Sequence, residues 1–332
     1  MPGFRSRLLA VALLLVAVVG AACGDGGDDR VAESTGVAES TGIVEEPGVA
    51  ESTGIVEEPG VAESTGIVEE PEVAEPERPQ RIVSLSPTAT EMLFAIGAGE
   101  QVVAVEEFSN YPPGAPVTDL SGWNPNVEAV LSYEPDLVVI SNDANDLVAG
   151  LNAAGVALHL SPAPMNLEAW YGTFAELGIA TGRVDEAADL VARLRREISA
   201  ALEAAPDAPV RVYHEIDQTY FSASSASFIG AVYSAMGATN IADQADGDGS
   251  GYPQLTEEYI VEADPELIVI TDQVSYTAAD LAARPGWGEV AAVRNGNIVT
   301  VNADIASRWG PRLPRFIAAI AEALQSVVEP VS

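Results

Sequence analysis

Two segments of the chain, NVEAVLSYEPDLVVI (126–140) and TEEYIVEADPELIVI (256–270), place apolar and polar residues in the same order. In each segment a short helical pattern leads through an acidic residue and a proline into a run of aliphatic residues. Near-continuous aliphatic runs of this length are typical of parallel strands that are buried on both faces. The segments begin 130 residues apart, which predicts that one α/β unit occurs twice in the chain.

The first half is predicted to alternate strands and helices from residue 81 onward. RIVSLS is the first strand, and Pro87 begins a helix in which Thr88 and Glu91 fit a capping box. The pattern then predicts the strands QVVAVE, PDLVVI and VALHLS, with helices at 127–132 and near 146–154. The second half repeats this plan with RVYHEI, a short strand NIAD, PELIVI and NIVTVN, and it ends with a helix over 311–328.

A single long helix is predicted between the halves, because residues 183–205 have helical periodicity and contain neither Gly nor Pro. The predicted fold class is therefore α/β, with two lobes that each hold a central, mostly parallel sheet flanked by helices. The N-terminal lobe is predicted to span 81–182, and the C-terminal lobe 209–332. Two lobes that face each other create a cleft in which a ligand can bind.

The N-terminal 22 residues have the pattern of a signal peptide: two arginines precede the apolar run 8–22. Cys23 follows small residues and is the only cysteine of the chain. This arrangement resembles the lipobox of bacterial lipoproteins, which implies that Cys23 is acylated and anchors the protein to the outer face of the cell membrane. A plain secretory signal with an incidental cysteine, or an uncleaved anchor, are the alternatives.

Residues 23–80 are dominated by the hexads VAESTG and IVEEPG. From residue 24 to 80 there are 16 acidic residues against two arginines, and no aromatic residue. This composition cannot bury enough apolar surface to fold, and its charges repel one another. The segment is predicted to be a disordered acidic tether.

The overall charge of −35 excludes nucleic acid as a partner, because such a surface repels phosphate. The chain contains no H-E-x-x-H, G-x-S-x-G or P-loop motif, so no enzymatic activity is predicted. His159 and His214 lie in strand patterns without partners at metal spacing, and neither a metal site nor a cofactor is predicted. The loop from Asp246 to Glu257 has the spacing of a calcium loop, but Pro253 and the lack of a preceding helix oppose that interpretation.

Five motifs carry a resemblance to a known family: RIVSLSPTATEMLFAIGAG, NYPP, NVEAVLSYEPDLVV, GYPQLTEEYI and DIASRWGPR. In this order, over about residues 80–330, they resemble the helical-backbone (class III) binding proteins of ABC importers for iron-siderophores, haem and cobalamin. The resemblance implies a monomer that captures a bulky metal chelate in the interlobe cleft and delivers it to a two-fold permease. It favours a corrinoid slightly over a ferric siderophore or haem.

Aromatic residues in loops after strands are the predicted platforms for such a flat ligand, because they bury large rigid surfaces. They are Tyr111 and Trp123 in the first lobe and Tyr220 and Tyr252 in the second. Each of them could instead be a core residue of its own lobe.

The resemblance also implies charged site residues. Asp304 and Arg308 would contact polar groups of the ligand, although their spacing of four also lets them pair with each other. Glu128 and Glu258 occupy equivalent places in the two copies, and the resemblance implies that they dock onto arginines of the permease.

Two other functions stay open at this point. A direct metal-ion receptor of the same fold would use His214 and Glu215 as ligands. A surface lipoprotein would use the lobes for adhesion or signalling and would need no small ligand.

Overall fold

A computed structural model describes residues 78–329 of the chain. The predicted signal peptide, Cys23 and nearly all of the predicted tether lie outside the described residues. The described part consists of two lobes, and each is built on its own four-stranded parallel sheet.

The first lobe contains four strands in the spatial order β2-β1-β3-β4. The strands are β1 (Ile82–Ser84), β2 (Val102–Val105), β3 (Leu137–Ile140) and β4 (Ala157–Leu160). Four helices accompany them: α1 (Pro87–Ala95), α2 (Val127–Leu131), α3 (Leu147–Ala153) and α4 (Leu167–Thr181). The central strands β1 and β3 are buried along their whole length, as expected for a sheet that is covered on both faces.

The helix α5 (Val184–Glu203) connects the lobes, as its uninterrupted helical pattern predicts. It packs on α4 and places Leu190, Leu194 and Ile198 in the core. The same hydrophobic cluster includes Trp170 from α4 and Phe316 from the last helix, so the two lobes share one core along α5.

The second lobe repeats the plan of the first, with its strands in the equivalent order β6-β5-β7-β8. The strands are β5 (Arg211–His214), β6 (Thr239–Asn240), β7 (Leu267–Thr271) and β8 (Ile298–Val301). The helices are α6 (Phe228–Ala235), α7 (Glu257–Ala263), α8 (Ala278–Ala282), α9 (Ala291–Asn295), α10 (Ala303–Ser307) and α11 (Leu313–Val328). The predicted fold class, two parallel-sheet lobes joined by one long helix, is confirmed; the outer boundaries of the predicted domains stay a prediction.

The duplication extends to individual hydrogen bonds. The Nε of Arg81 donates to the carbonyl oxygen of Glu134 at 2.9 Å, and the Nε of Arg211 donates to that of Asp264 at 2.9 Å. Glu134 and Asp264 both have a left-handed backbone, with φ of 50° and 46°. In each copy the carboxylate two residues further on accepts a bond from the backbone N–H of the same arginine. Each first strand is thus fixed to the turn before the third strand by the same set of contacts.

Two local predictions are wrong. The N-cap of α1 is Ser86, whose hydroxyl accepts a hydrogen bond from the N–H of Ala89, so Thr88 and Glu91 form no capping box. The predicted strand NIAD is mostly a 3₁₀ turn over Ile241–Gln244, and β6 includes only its first residue. In the first case Ser86 stands directly before Pro87 and takes the cap; in the second, the side chain of Asn240 caps the 3₁₀ turn by accepting from the N–H of Ala242.

None of the helices in the described part has both the length and the apolar character that a membrane span requires.

Candidate functional site

The carboxyl ends of the two sheets face each other across the lobe junction. Asn110 follows β2, and its Oδ1 accepts a hydrogen bond from Arg308, which follows β8, at 2.7 Å. The carbonyl oxygen of Phe108 accepts a second bond from Arg308 at 3.0 Å, and Asp304 accepts one from Asn110 at 3.3 Å. Because all strands of a parallel sheet end at the same edge, these contacts bring the ligand-binding edges of the two α/β units together.

A buried carboxylate lies at the centre of this junction. Glu91, in α1 of the first lobe, has a side chain that is 1% exposed. Its two oxygens accept hydrogen bonds from Arg312 of the second lobe at 2.8 and 2.5 Å, and one oxygen lies 3.4 Å from Arg308. Arg308 also pairs with Asp304 at 2.9 Å. We call Glu91, Asn110, Asp304, Arg308 and Arg312 the interlobe cluster.

The charges of the interlobe cluster balance, because two arginines face two carboxylates. The arginine side chains are only 12% and 13% exposed. A further buried carboxylate, Glu106, lies near Arg308, and burial raises its pKa although hydrogen bonds from Phe108 and Ser109 oppose the shift. The junction therefore offers no uncompensated positive charge among the described residues.

Exposed aromatic side chains flank the junction in the first lobe. Trp123 is 77% exposed, and its loop is tied to the loop that follows β3 by a 2.6 Å hydrogen bond from the Nδ2 of Asn145 to the Oδ1 of Asn124. Phe108 is 46% exposed beside its contact with Arg308. Tyr111 is half-buried, and the guanidinium of Arg312 lies 4.2 Å from the centre of its ring. Trp123 and Phe108 are thus the two exposed rings among these residues, whereas Tyr111 packs against Arg312.

The second lobe places its two predicted aromatic residues differently. Tyr252 is 36% exposed in the loop before α7. Tyr220 stacks on Trp287 at 6.3 Å, and Arg284 lies 5.5 Å from the Tyr220 ring. The loops that carry these two tyrosines adjoin, because the backbone N–H of Ser222 donates a hydrogen bond to the carbonyl oxygen of Pro253. Tyr252 is thus available to a ligand, whereas Tyr220 packs largely within its own lobe.

The candidate metal ligands of the second lobe are already engaged. Glu215 is fully buried and accepts two hydrogen bonds from Arg284, at 2.7 and 2.8 Å. The Nδ1 of His214 lies 2.6 Å from the hydroxyl of Tyr233, and burial lowers the pKa of His214 to about 4. Across residues 78–329, no three His, Cys, Asp or Glu side chains come close enough together to hold a metal ion. His214 and Glu215 are thus engaged by Tyr233 and Arg284 within the second lobe.

The calcium-like loop also uses its first carboxylate internally. Asp246 accepts hydrogen bonds from the hydroxyls of Ser224 and Ser250, at 2.5 and 3.2 Å, and from the N–H of Gly251 at 3.0 Å. These donors engage both carboxylate oxygens of Asp246. The loop is closed by its own hydrogen bonds.

The two predicted docking residues occupy identical helical positions. Glu128 is the second residue of α2 after the N-cap Asn126, and Glu258 is the second residue of α7 after the N-cap Thr256. Both side chains are exposed. A carboxylate in a first helical turn is stabilised by the helix dipole, so each position also has a purely structural explanation.

Several residues of the site were not predicted from the sequence: Glu91, Phe108, Asn110 and Arg312. The signal for Arg312 was available, since it closes the motif DIASRWGPR, four residues after Arg308. Glu91 carried a misleading signal, because its distance from Thr88 suited a capping box.

The open groove between α5 and α11, of about 380 Å³, is not this site. It is lined by alanines such as Ala201 and Ala321 together with the polar residues Glu322 and Gln325. It contains none of the residues discussed above.

Comparison with curated proteins finds relatives that are named for the ligand they bind. A cobalamin-binding protein of Halobacterium salinarum is 34% identical over 260 residues, which are 75% of this chain and 70% of that protein. A vitamin B12-binding protein of Pectobacterium atrosepticum is 31% identical over 254 residues, covering 71% of this chain and 85% of that protein. The ABC transporter substrate-binding lipoprotein YvrC of Bacillus subtilis, whose own role is uncharacterised, is 30% identical over 259 residues, or 75% of this chain and 81% of that protein.

Solved structures share the fold. The haem-binding protein RhuT of Roseiflexus superposes with a TM-score of 0.68 at 25% identity, covering 75% of this chain and 99% of that structure. The vitamin B12-binding protein BtuF of Vibrio cholerae gives 0.65 at 23% identity, covering 76% and 100%. The family model described as periplasmic binding protein matches residues 82–305, and with relatives of this similarity the chain belongs to the periplasmic binding protein family.

Proposed function

We propose that this protein is the lipid-anchored substrate-binding component of an ABC importer and that its cargo is a corrinoid. The curated relatives named above for cobalamin and vitamin B12 support a corrinoid. The B. subtilis relative, named as a substrate-binding lipoprotein of an ABC transporter, supports the transport role. None of these relatives is named as an enzyme, which agrees with a protein that binds and releases its ligand unchanged.

The observation that carries the choice of cargo is the charge balance of the interlobe cluster. An anionic chelate, such as a catecholate siderophore, needs free cations, and Arg308 and Arg312 are both occupied by carboxylates. A bulky ligand with a large apolar surface instead needs flat walls, which Trp123 and Phe108 in one lobe and Tyr252 in the other provide.

Haem is the second candidate, and the likeness to the haem-binding RhuT supports it. Haem is as flat as a corrin ring, but its propionates are anionic. The interlobe cluster offers these carboxylates no uncompensated cation among the described residues, which disfavours haem relative to a corrinoid.

The contacts of Arg308 support a role beyond the predicted contact with the ligand. Its donors are directed at Asn110, Phe108, Asp304 and Glu91, three of which belong to the opposite lobe. We propose that Arg308 and Asp304 hold the lobes and border the ligand, and that the aromatic residues supply most of the contact area.

Delivery would use the two exposed acids Glu128 and Glu258. Their identical helical positions on the duplicated units present two matched charges, which suits a permease with two-fold symmetry. Cys23 would hold the protein at the membrane, and the intact mass of the mature N-terminal peptide tests this: a diacylglyceryl adduct supports the anchor, and an unmodified cysteine contradicts it.

The ligand proposal is tested by equilibrium dialysis of cyanocobalamin against the full chain carrying Cys23→Ser, which stays free of lipid. Trp123→Ala is expected to weaken binding about tenfold or more, because a central aromatic platform is lost. The matched control is Ile179→Ala, which removes another strongly exposed apolar side chain, from α4. Equal affinity of the Trp123→Ala variant and the control would contradict the assignment of Trp123 to the ligand platform.

A further inference from the structure

The segment 308–312 of the second lobe is held by the first lobe at several independent points. Glu91 binds both of its arginines, and Asn110 and the carbonyl of Phe108 bind Arg308. The indole N–H of Trp170, on α4, donates to the carbonyl oxygen of Trp309. Each contact crosses from one lobe to the other, although the segment lies more than 120 residues beyond α4 in the chain.

Glu91 is the group on which these contacts depend. Its carboxylate is nearly inaccessible to water and accepts from two guanidinium groups of the opposite lobe. Arg312 is the N-cap of the 16-residue helix α11, where the helix dipole disfavours a positive charge. Without a carboxylate beside it, Arg312 would be a half-desolvated cation at the positive end of a helix, and without the arginines Glu91 would be an uncompensated buried charge.

The backbone between the two arginines is adapted to this contact. A Cβ atom added at Gly310 would lie 2.9 Å from Oε2 of Glu91, closer than a side chain allows. The glycine therefore lets the chain pass close to the carboxylate while both neighbouring arginines reach it.

We propose that Glu91 is a positioning residue of the ligand site: it fixes segment 308–312 to the first lobe and holds the two aromatic walls at one separation before ligand binds. Preorganisation of this kind raises affinity, because the ligand does not have to select a rare closed arrangement. The effect on the lobes stands on the contacts alone, and the effect on affinity rests on the proposed function.

Interlobe distance measurements test the proposal directly. In the full chain with Cys23→Ser, Ala129→Cys on α2 and Glu262→Cys on α7 give one exposed label site in each lobe and no other cysteine. Pulsed electron paramagnetic resonance on the spin-labelled, ligand-free protein is expected to give a narrow distance distribution. Glu91→Gln is expected to broaden it, and saturating cyanocobalamin is expected to narrow it again while binding about tenfold more weakly.

The matched control is Glu168→Gln, which removes a carboxylate from another two-bond arginine pair, with Arg195, that does not bridge the two lobes. It should leave the distribution unchanged. Should Glu91→Gln fail to fold, Arg312→Gln breaks the same bidentate contact from the other side and is expected to broaden the distribution.

An unbroadened distribution in the folded variant overturns the proposal, as does broadening of the same size in the control. The double variant Glu91→Gln/Arg312→Gln separates two causes. If the lobes loosen only because the arginines are left uncompensated, the double variant returns to a narrow distribution and the positioning role is wrong. If the wild type does not bind cyanocobalamin while Glu91→Gln still broadens the distribution, the cargo is wrong and the positioning of the lobes stands.

Discussion

At the scale of single residues, Glu91 shows how a local interpretation fails. Its spacing from Thr88 suited a capping box, but its partners Arg308 and Arg312 lie 217 and 221 residues further along the chain. A one-sequence pattern contains no information on which distant residues will meet. The burial of the carboxylate follows from the docking of the lobes and not from the helix in which it resides.

His214 is a second buried polar group with a consequence that can be measured. Burial lowers its pKa to about 4, below the usual value of 6.5, so the folded protein holds it neutral next to Tyr233. As the pH falls from about 6.5 to 4, the unfolded chain takes up a proton that the folded chain does not, and stability is lost. At pH 4 this loss is expected to be about 3 kcal/mol.

The measurement is urea unfolding of the wild type and of His214→Gln between pH 7 and 4. Other groups that titrate in this range affect both proteins alike, so the difference between the two curves isolates the histidine. The stability of the variant should fall less steeply with decreasing pH. Parallel curves would show that His214 does not titrate in the way that its burial requires.

At the scale of elements, the hydrophobic pattern predicted most of the fold. The two aliphatic runs correspond to the buried strands β3 and β7. The uninterrupted helical periodicity of apolar residues over 183–205 corresponds to α5. The 130-residue repeat predicted equivalent sheets, and the strand orders agree with it. These features can be recognised from the local sequence. A strand buried on both faces is a continuous run of apolar residues, and a helix buried along one face has apolar residues at the helical period.

Other elements were not predicted for physical reasons. The helix α4 is apolar around much of its circumference, because it packs on α1 as well as α5, and so it lacks a clear amphipathic period. The short helices α8 and α9 are too brief for a period to show. Within the site, Trp123 and Tyr252 are exposed and their role as a platform stays a prediction, whereas the stacking of Tyr220 on Trp287 depends on a contact between distant segments.

At the scale of the whole molecule, the two lobes share a hydrophobic core along α5 and an ionic junction at segment 308–312. A wide hinge motion would have to break both. The molecule therefore suits a binding protein whose site is largely formed before the ligand arrives.

Delivery of the ligand is a property of the whole molecule, and it is expected to separate from binding. The double variant Glu128→Ala/Glu258→Ala should bind cyanocobalamin as the wild type does, because both side chains are exposed on short helices. Uptake of labelled cyanocobalamin by cells that carry the variant in place of the wild type should fall strongly. The control Glu100→Ala/Glu262→Ala removes two other exposed acids, one from each lobe, and should transport normally; equal uptake by both variants would contradict docking through Glu128 and Glu258.

The central claim, a corrinoid bound between two aromatic walls at a charge-neutral junction, is tested most directly by isothermal titration calorimetry. The full chain with Cys23→Ser would be titrated in turn with cyanocobalamin, haemin and an anionic ferric siderophore. Binding of cyanocobalamin at micromolar concentration or below, with much weaker binding of the two anionic ligands, is the predicted result. Tight binding of haemin or the siderophore without binding of cyanocobalamin would contradict the account, because the compensated arginines of the interlobe cluster would then not determine the cargo.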